Sequence, residues 1–363
     1  MIYSIYPSKD STIYNSSIYQ NTGLDEIIEL NKVLSGSSSV ITANSRIMMK
    51  YNSSDITDIL TAAGISTADF RIRCYTADVH EIPLSYVVEA RAVSQSWEMG
   101  VGKFEDSPPI TDGVSWRYRD IYLGNAWATD SLAPGSENFY DAYSYPGGAT
   151  WYSAYQATQS FEFESTDINI NVSTIVDAWL DDSIVNDGFI IKRTNNDEAV
   201  NSNMGALKFF SRDTHTIYPP KLEIAWDDSV YGTGSLIELT SDDQFLVYSP
   251  NLELSYREYE KAKIRMIGRE KYPTRSYVTS SVYTAVNNCL PETTYYSIVD
   301  ASSLDTVIPF DVEYTKLSCD ANGNYFKLWM DSFQAERQYR ILIKVVTSDT
   351  EELFDDFTFK VVR

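Results

Sequence analysis

Histidine is nearly absent from this chain: His80 and His215 are the two among 363 residues. That excludes a multi-histidine metal centre and leaves one of the commonest proton-transfer groups scarce. Cysteine is little better represented. Cys74, Cys289 and Cys319 are too few and too scattered for a disulfide framework or paired zinc ligands. Buried free thiols are expected, with a single Cys289–Cys319 bridge left open. Basic charge is also short: 29 Lys+Arg against 51 Asp+Glu give a net charge of −22, which repels nucleic acid and anionic lipid. No stretch approaches 18 apolar residues, and Met1–Pro7 has no basic or continuous apolar leader. Neither membrane insertion nor signal-directed export is expected.

What is present points to β-structure. Aromatics make up 13% of the chain, with 27 Tyr, a strand-forming composition. Apolar runs at Arg46–Tyr51, Phe70–Thr76, Tyr86–Val93, Gln159–Glu164, Gly188–Arg193, Ala206–Phe210 and Lys221–Trp226 read as strands, many of them separated by Gly, Pro, Asn and Asp. Two short helices interrupt them. Ser54–Ala63 places Ile56, Ile59, Leu60 and Ala63 on one face with Gly64 as a stop, and about Ser173–Asp181 stacks Ile175 on Trp179 behind a Thr174/Asp177 capping pattern. Acidic and glycine residues at Trp226–Gly234 suggest a boundary, so the expected domains are 1–228 and 229–363. Strands resume at Leu236–Leu239, Asn251–Tyr256, Lys263–Ile267, Ser276–Val282, Tyr295–Val299, Asn324–Met330, Arg340–Val346 and Phe357–Val362, and Asp320–Asn324 reads as a hairpin turn.

Few patterns carry chemistry. Asp320, Asn322 and Asn324 alternate as calcium ligands do, but Gly323 falls in the wrong place and the flanks read as strands. Trp97–Lys103 has too few glycines for a dinucleotide fingerprint. Adjacent acids such as Asp181-Asp182 arise readily on so acidic a surface, and no Gly-x-Ser-x-Gly elbow occurs. No catalytic, cofactor-binding or metal-ligating residue is therefore assigned, and no enzymatic activity or cofactor is expected. The tryptophans Trp97, Trp116, Trp127, Trp151, Trp179 and Trp226 suit either core and interface packing or sugar stacking.

The ordered series Ser45–Tyr51, Phe70–Tyr75, Trp97-Glu98, Gly113–Trp116, Ile170–Trp179, Asn186–Ile191, Phe210–Asp213 and Pro219–Ile224 resembles the DNRLRE-type β-sandwich domain, a jelly-roll-like module of bacterial surface proteins and some viral proteins. The resemblance implies a sandwich serving adhesion, carbohydrate contact or assembly, without common catalytic residues. In the second domain, Phe333–Tyr339 matches a tyrosine corner, similar to immunoglobulin or fibronectin sandwiches. Tyr272–Tyr277 and Phe357–Arg363 are similar to the ends of tailed-phage virion proteins.

The expectation is thus an all-β chain, a jelly-roll-like sandwich with short helices followed by an immunoglobulin-like sandwich. It would act as a non-enzymatic structural component of a tailed bacteriophage virion (tail, neck or fibre-associated), made in the host cytoplasm. Partners would be copies of itself and other virion structural proteins. A carbohydrate-binding adhesin-type module, with host-surface polysaccharide as partner, is the alternative. The contact surface is expected between Met99 and Tyr155, at Trp116, Tyr118, Tyr122, Trp127, Tyr140, Tyr143, Tyr145, Trp151 and Tyr152, unless these rings fold back as a cap on their own sandwich.

Overall fold

A computed structural model describes residues 1–34, 41–128, 147–162, 165–200, 202–240, 245–272, 288–348 and 350–363. The chain is all-β, built from mainly antiparallel sandwich sheets with three short α-helices among the described residues. It divides into two compact units, Ile5–Ile224 and Ala225–Arg363, and Met1–Ser4 group with the second. The division at Ile224/Ala225 lies four residues before the expected boundary of 228/229.

In chain order the N-terminal region runs β1 (Ile2–Ile5), β2 (Lys9–Tyr14), β3 (Ile27–Leu34), β4 (Ile41–Lys50), α1 (Ser53–Ala63), β5 (Asp69–Cys74), β6 (Thr76–His80) and β7 (Ser85–Val93). There follow β8 (Tyr118–Asp120), β9 (Asn125–Ala126), β10 (Trp151–Glu162), β11 (Ile168–Asn171), α2 (Ser173–Leu180), β12 (Phe189–Arg193), α3 (Asn195–Ala199), β13 (Gly205–Phe210) and β14 (Lys221–Ala225). An eight-stranded sheet has the order β10-β7-β12-β4-β3-β13-β6 with β2 also on β4, while β14, β5 and β11 adjoin in a second sheet.

The two expected helices form within a residue or two of their sequence-derived limits. Ile56 and Leu60 are the buried residues of α1, and Gly64 ends it at φ 70°, a left-handed conformation that glycine adopts without a Cβ penalty. The Thr174/Asp177 cap does not form: α2 starts earlier, at Ser173, with no side-chain cap. The Ser173 hydroxyl instead accepts the Phe70 amide at 3.0 Å. Trp179 of α2 packs on Phe189 at 4.5 Å between ring centroids.

All five residues of β12 are buried, as are the last six of β7. Side chains alternate across a strand, so the middle of the eight-stranded sheet, at β7, β12 and β4, is covered on both faces. Ile47, Met49, Phe189, Ile191, Val88 and Ala90 face one way, and Arg46, Met48, Ile190, Lys192, Glu89 and Arg91 the other, all buried.

The C-terminal unit comprises β15 (Ile237–Glu238), β16 (Phe245–Tyr248), β17 (Ser255–Arg257), β18 (Lys261–Glu270), β19 (Asn288–Cys289) and β20 (Thr294–Asp300). Then come β21 (Thr306–Ile308), β22 (Ser318–Asp320), β23 (Gly323–Trp329), β24 (Arg337–Val346) and β25 (Glu351–Val362). One sheet has the order β15-β19-β18-β23-β22 with β16 on β18, the other β17-β25-β24-β20-β21. A single apolar core joins Ile264, Met266, Phe326 and Leu328 of the first to Tyr296, Ile298, Ile341 and Phe359 of the second. Tyr296 stacks on Phe326 at 4.4 Å.

The tyrosine corner is present: the Tyr339 hydroxyl donates to the Gln334 carbonyl at 3.0 Å. Asp320–Asn324 is a hairpin turn, with Asp320 opposite Gly323. The Asp320 carboxylate accepts from Arg265 at 2.8 and 2.9 Å and from Lys263 at 3.0 Å. Of the expected strand Asn251–Tyr256, only Ser255 and Tyr256 are strand, in β17, and Ser276–Val282 lies outside the described residues.

Candidate interaction surface

The outer face of the eight-stranded sheet carries a second core. Ile13, Met48, Val93, Trp151 and Ile190 on the strands pack under Trp97, Val114, Trp116, Trp127 and Ala149 from the connecting segments. Asn21 ties this cover down. Its side-chain amide donates to Met99 O at 2.7 Å and Val114 O at 2.8 Å, and its oxygen accepts from Gly102 N at 2.8 Å and Gly23 N at 3.2 Å. The segments pass so closely that a Cβ on Gly113 would lie 2.4 Å from the Gly100 Cα. The Trp97 indole donates to Asp187 O at 2.9 Å and that of Trp127 to Ser115 O at 3.0 Å, satisfying both buried N–H groups.

Beside these rings lies a buried ion network. Arg46 forks onto Glu198 at 3.0 and 2.7 Å, a bidentate pair with both side chains essentially fully buried. Lys192 donates to Glu89 at 2.9 Å and Asn195 at 2.8 Å and lies 3.3 Å from Glu198. Arg91 donates to the other Glu89 oxygen at 3.0 Å. Arg46, Lys192 and Arg91 stand 5.3, 5.5 and 6.0 Å from the Trp151 ring, and Arg46 stands 4.8 Å from Trp116. Burial works to raise the Glu198 carboxyl, but the Arg46 and Lys192 charges outweigh it and hold the group below its ordinary value. The short helix α3 supplies Glu198, with the Thr194 hydroxyl accepting Asp197 N at 3.1 Å as its cap. The Lys32 ammonium donates to the carbonyls of Asp197 and Val200 at the same helix.

On this base stands the small hairpin β8–β9. Its legs pair Tyr118 with Ala126 and Asp120 with Asn125, and Trp116 and Trp127 flank it in the core. The Asp120 carboxylate accepts Leu123 N at 3.3 Å and Ile121 O accepts Gly124 N at 3.0 Å, which close the turn. Tyr122 and Leu123 at the tip are 78% and 66% exposed.

This placement corrects the sequence-based surface in part. Trp116, Trp127 and Trp151 are at most 2% exposed and belong to the domain's own core, so they present nothing to a partner. The reason is the two-sided burial of the sheet, which required a large apolar cover. Tyr118 and Tyr152 are half-buried and Tyr122 is exposed; Tyr118 stacks on Tyr19 at 6.0 Å. Tyr140, Tyr143 and Tyr145 lie outside the described residues. All seven tryptophans of the chain are at most 7% exposed, which removes them as sugar-stacking platforms.

Among the described residues no group of His, Cys, Asp and Glu is arranged to hold a metal ion, and no helix is long and apolar enough to cross a membrane. His80 is exposed and 2.8 Å from Asp78. No protein-family model matches the chain, nor does any curated protein sequence.

Proposed function

We propose that the chain is a non-enzymatic structural component of a tailed-phage virion that works through contacts with copies of itself and with other particle subunits. The observation that carries the contact role is the Tyr122–Leu123 tip. An aromatic and an aliphatic side chain are displayed to solvent on a hairpin whose base is fixed by buried tryptophans. A rigid, exposed apolar group loses little conformational entropy on docking, and so spends most of its burial energy on affinity. The particle assignment rests on the ordered likeness of residues 45–224 to DNRLRE-type sandwiches and of the chain's closing strand to virion proteins. The burial of every tryptophan favours this reading over sugar binding.

Light scattering of the full chain, alone and mixed with the other proteins of the particle, tests the reading together with mass spectrometry of purified virions. The expected result is a higher-order species that the double variant Tyr122→Ala, Leu123→Ser weakens at least tenfold without lowering the unfolding temperature. A persistent monomer that is absent from virions overturns it, as does micromolar affinity for a host polysaccharide.

A further inference from the structure

Two cysteines far apart in sequence meet inside the C-terminal unit. Asn288 of β19 pairs with Gly268 of β18, just beyond Met266, which is the last residue of β18 paired with β23. Cys319 lies opposite Asn324 in the neighbouring hairpin. The Asn324 side chain grips the residue after Cys289: its oxygen accepts Leu290 N at 2.7 Å and its nitrogen donates to Leu290 O at 3.3 Å. Tyr231 fastens the same two places. Its backbone bridges Cys319, while its hydroxyl donates to Leu290 O at 2.7 Å and lies 4.0 Å from the Cys289 sulfur. Both thiols are free, 0% and 2% exposed, and the Cys319 thiol donates to the Asp320 carbonyl at 3.6 Å.

We propose that Cys289 and Cys319 are an oxidation site, and that hydrogen peroxide converts them into an intramolecular disulfide stapling β19 to β22. In the first step the Cys289 thiolate attacks one peroxide oxygen. The O–O bond breaks, and the second oxygen leaves as hydroxide and takes up a proton to become water. The Cys319 thiolate then attacks the sulfenic sulfur, the S–S bond forms, and the sulfenic oxygen leaves as a second water. Two thiols and one hydrogen peroxide give one disulfide and two waters, with two electrons passing from sulfur to oxygen. Burial raises the Cys289 thiol and pushes Cys319 up to about 12, so the reaction is slow at neutral pH and quickens as pH rises. The bridge would close a loop of about 30 residues, a length at which constraining the unfolded chain is effective. The inference does not depend on the virion reading.

The test exposes the full folded chain to hydrogen peroxide, then measures intact mass and maps peptides with and without reductant. The expected product is lighter by about 2 Da, links the Cys289 and Cys319 peptides, and has a C-terminal unfolding midpoint higher by about 5–10 °C. Cys74→Ser reacts like the parent, whereas Cys289→Ser and Cys319→Ser do not lose the 2 Da. A mass gain of one or more oxygens without the bridge, a bridge to Cys74, or a disulfide-linked dimer overturns the proposal. Should either serine variant fail to fold, the peptide map of the parent chain still decides.

Discussion

The two units solve the same packing problem by different means. The C-terminal unit fills the space between its sheets with one apolar cluster and leaves charge pairs such as Asp320 with Arg265 and Lys263 at the rim. The N-terminal unit covers the middle of its large sheet on both faces, and on the outer one it buries Arg46, Lys192, Glu89, Arg91 and Glu198 among tryptophans. Apolar contacts fail gradually when one side chain is trimmed. A buried ion network fails abruptly, because losing one member strands its partners without compensation. The N-terminal unit is therefore the one in which a single charge change has the larger effect.

Glu198→Gln makes the sharpest test. It leaves Arg46 without its carboxylate, and we expect the N-terminal unit to lose about 3–5 kcal/mol while the C-terminal unit is unchanged. Fluorine NMR of fluorotryptophan-labelled protein through a urea titration separates the two, since five tryptophans lie in Ile5–Ile224 and two in the other unit. Equal losses in both units would break the comparison. Gly148→Ala follows in size. Gly148 has φ +84°, and a Cβ there would lie 2.5 Å from the Arg46 guanidinium and 2.9 Å from Trp116, so a loss of about 2–3 kcal/mol is expected in the same titration.

Acidification distinguishes the units by sign. Burial raises Asp10 to about 7 and Asp25 to about 6, both in the N-terminal unit. A carboxyl whose folded-state value is raised takes up its proton in the native state first, so lowering pH from about 7 toward 4 stabilises that unit. Glu198 has the opposite sign: its value is held down, and its contribution is lost as pH falls below about 4.5. Stability of the N-terminal unit should thus pass through a maximum at mildly acidic pH. In the C-terminal unit Asp331 is raised, but Asp300 and Asp320 are held down, and we expect its stability to fall below about pH 4. Urea midpoints of both units across pH 3–8 check this; parallel curves would refute it. The smallest effect is Tyr339→Phe, which removes one buried hydroxyl bond and should cost the C-terminal unit alone about 1 kcal/mol.

Much of the fold was legible in the sequence. The periodicity of Ile56 and Leu60, the Gly64 stop, the turn at Asp320–Asn324 and the Tyr339 corner each depend on near neighbours, and the structure contains all of them. The strands Lys9–Tyr14 and Ile27–Leu34 were missed because polar residues occupy both of their faces, and α3, Asn195–Ala199, because it is one polar turn. The candidate surface was read less well. Residue type alone cannot separate a tryptophan in a core from one at an interface. A signal was nevertheless available: Phe189–Ile191 and Ile47–Met49 are unbroken apolar runs, and such runs mark strands buried on both faces. They implied that something large must cover the outer face, and that Arg46 and Lys192 beside them would be enclosed with it.

The placement of Met1–Ser4 bears on how the chain is made. Ile2 belongs to the C-terminal core, Tyr3 packs edge-on against Trp329 at 5.6 Å, and Ser4 N donates to the Ser332 hydroxyl at 3.0 Å. On the ribosome these residues emerge before Ile5–Ile224, yet the domain they complete is synthesised after it. The whole of Ile5–Ile224 can fold while they wait for partners that do not yet exist. Translation order and assembly order are therefore inverted at this strand, and the second domain is sealed by a segment made before the first domain. Removing residues 1–4 should consequently slow refolding and lower the stability of the distant C-terminal unit, leaving the adjacent domain as it was.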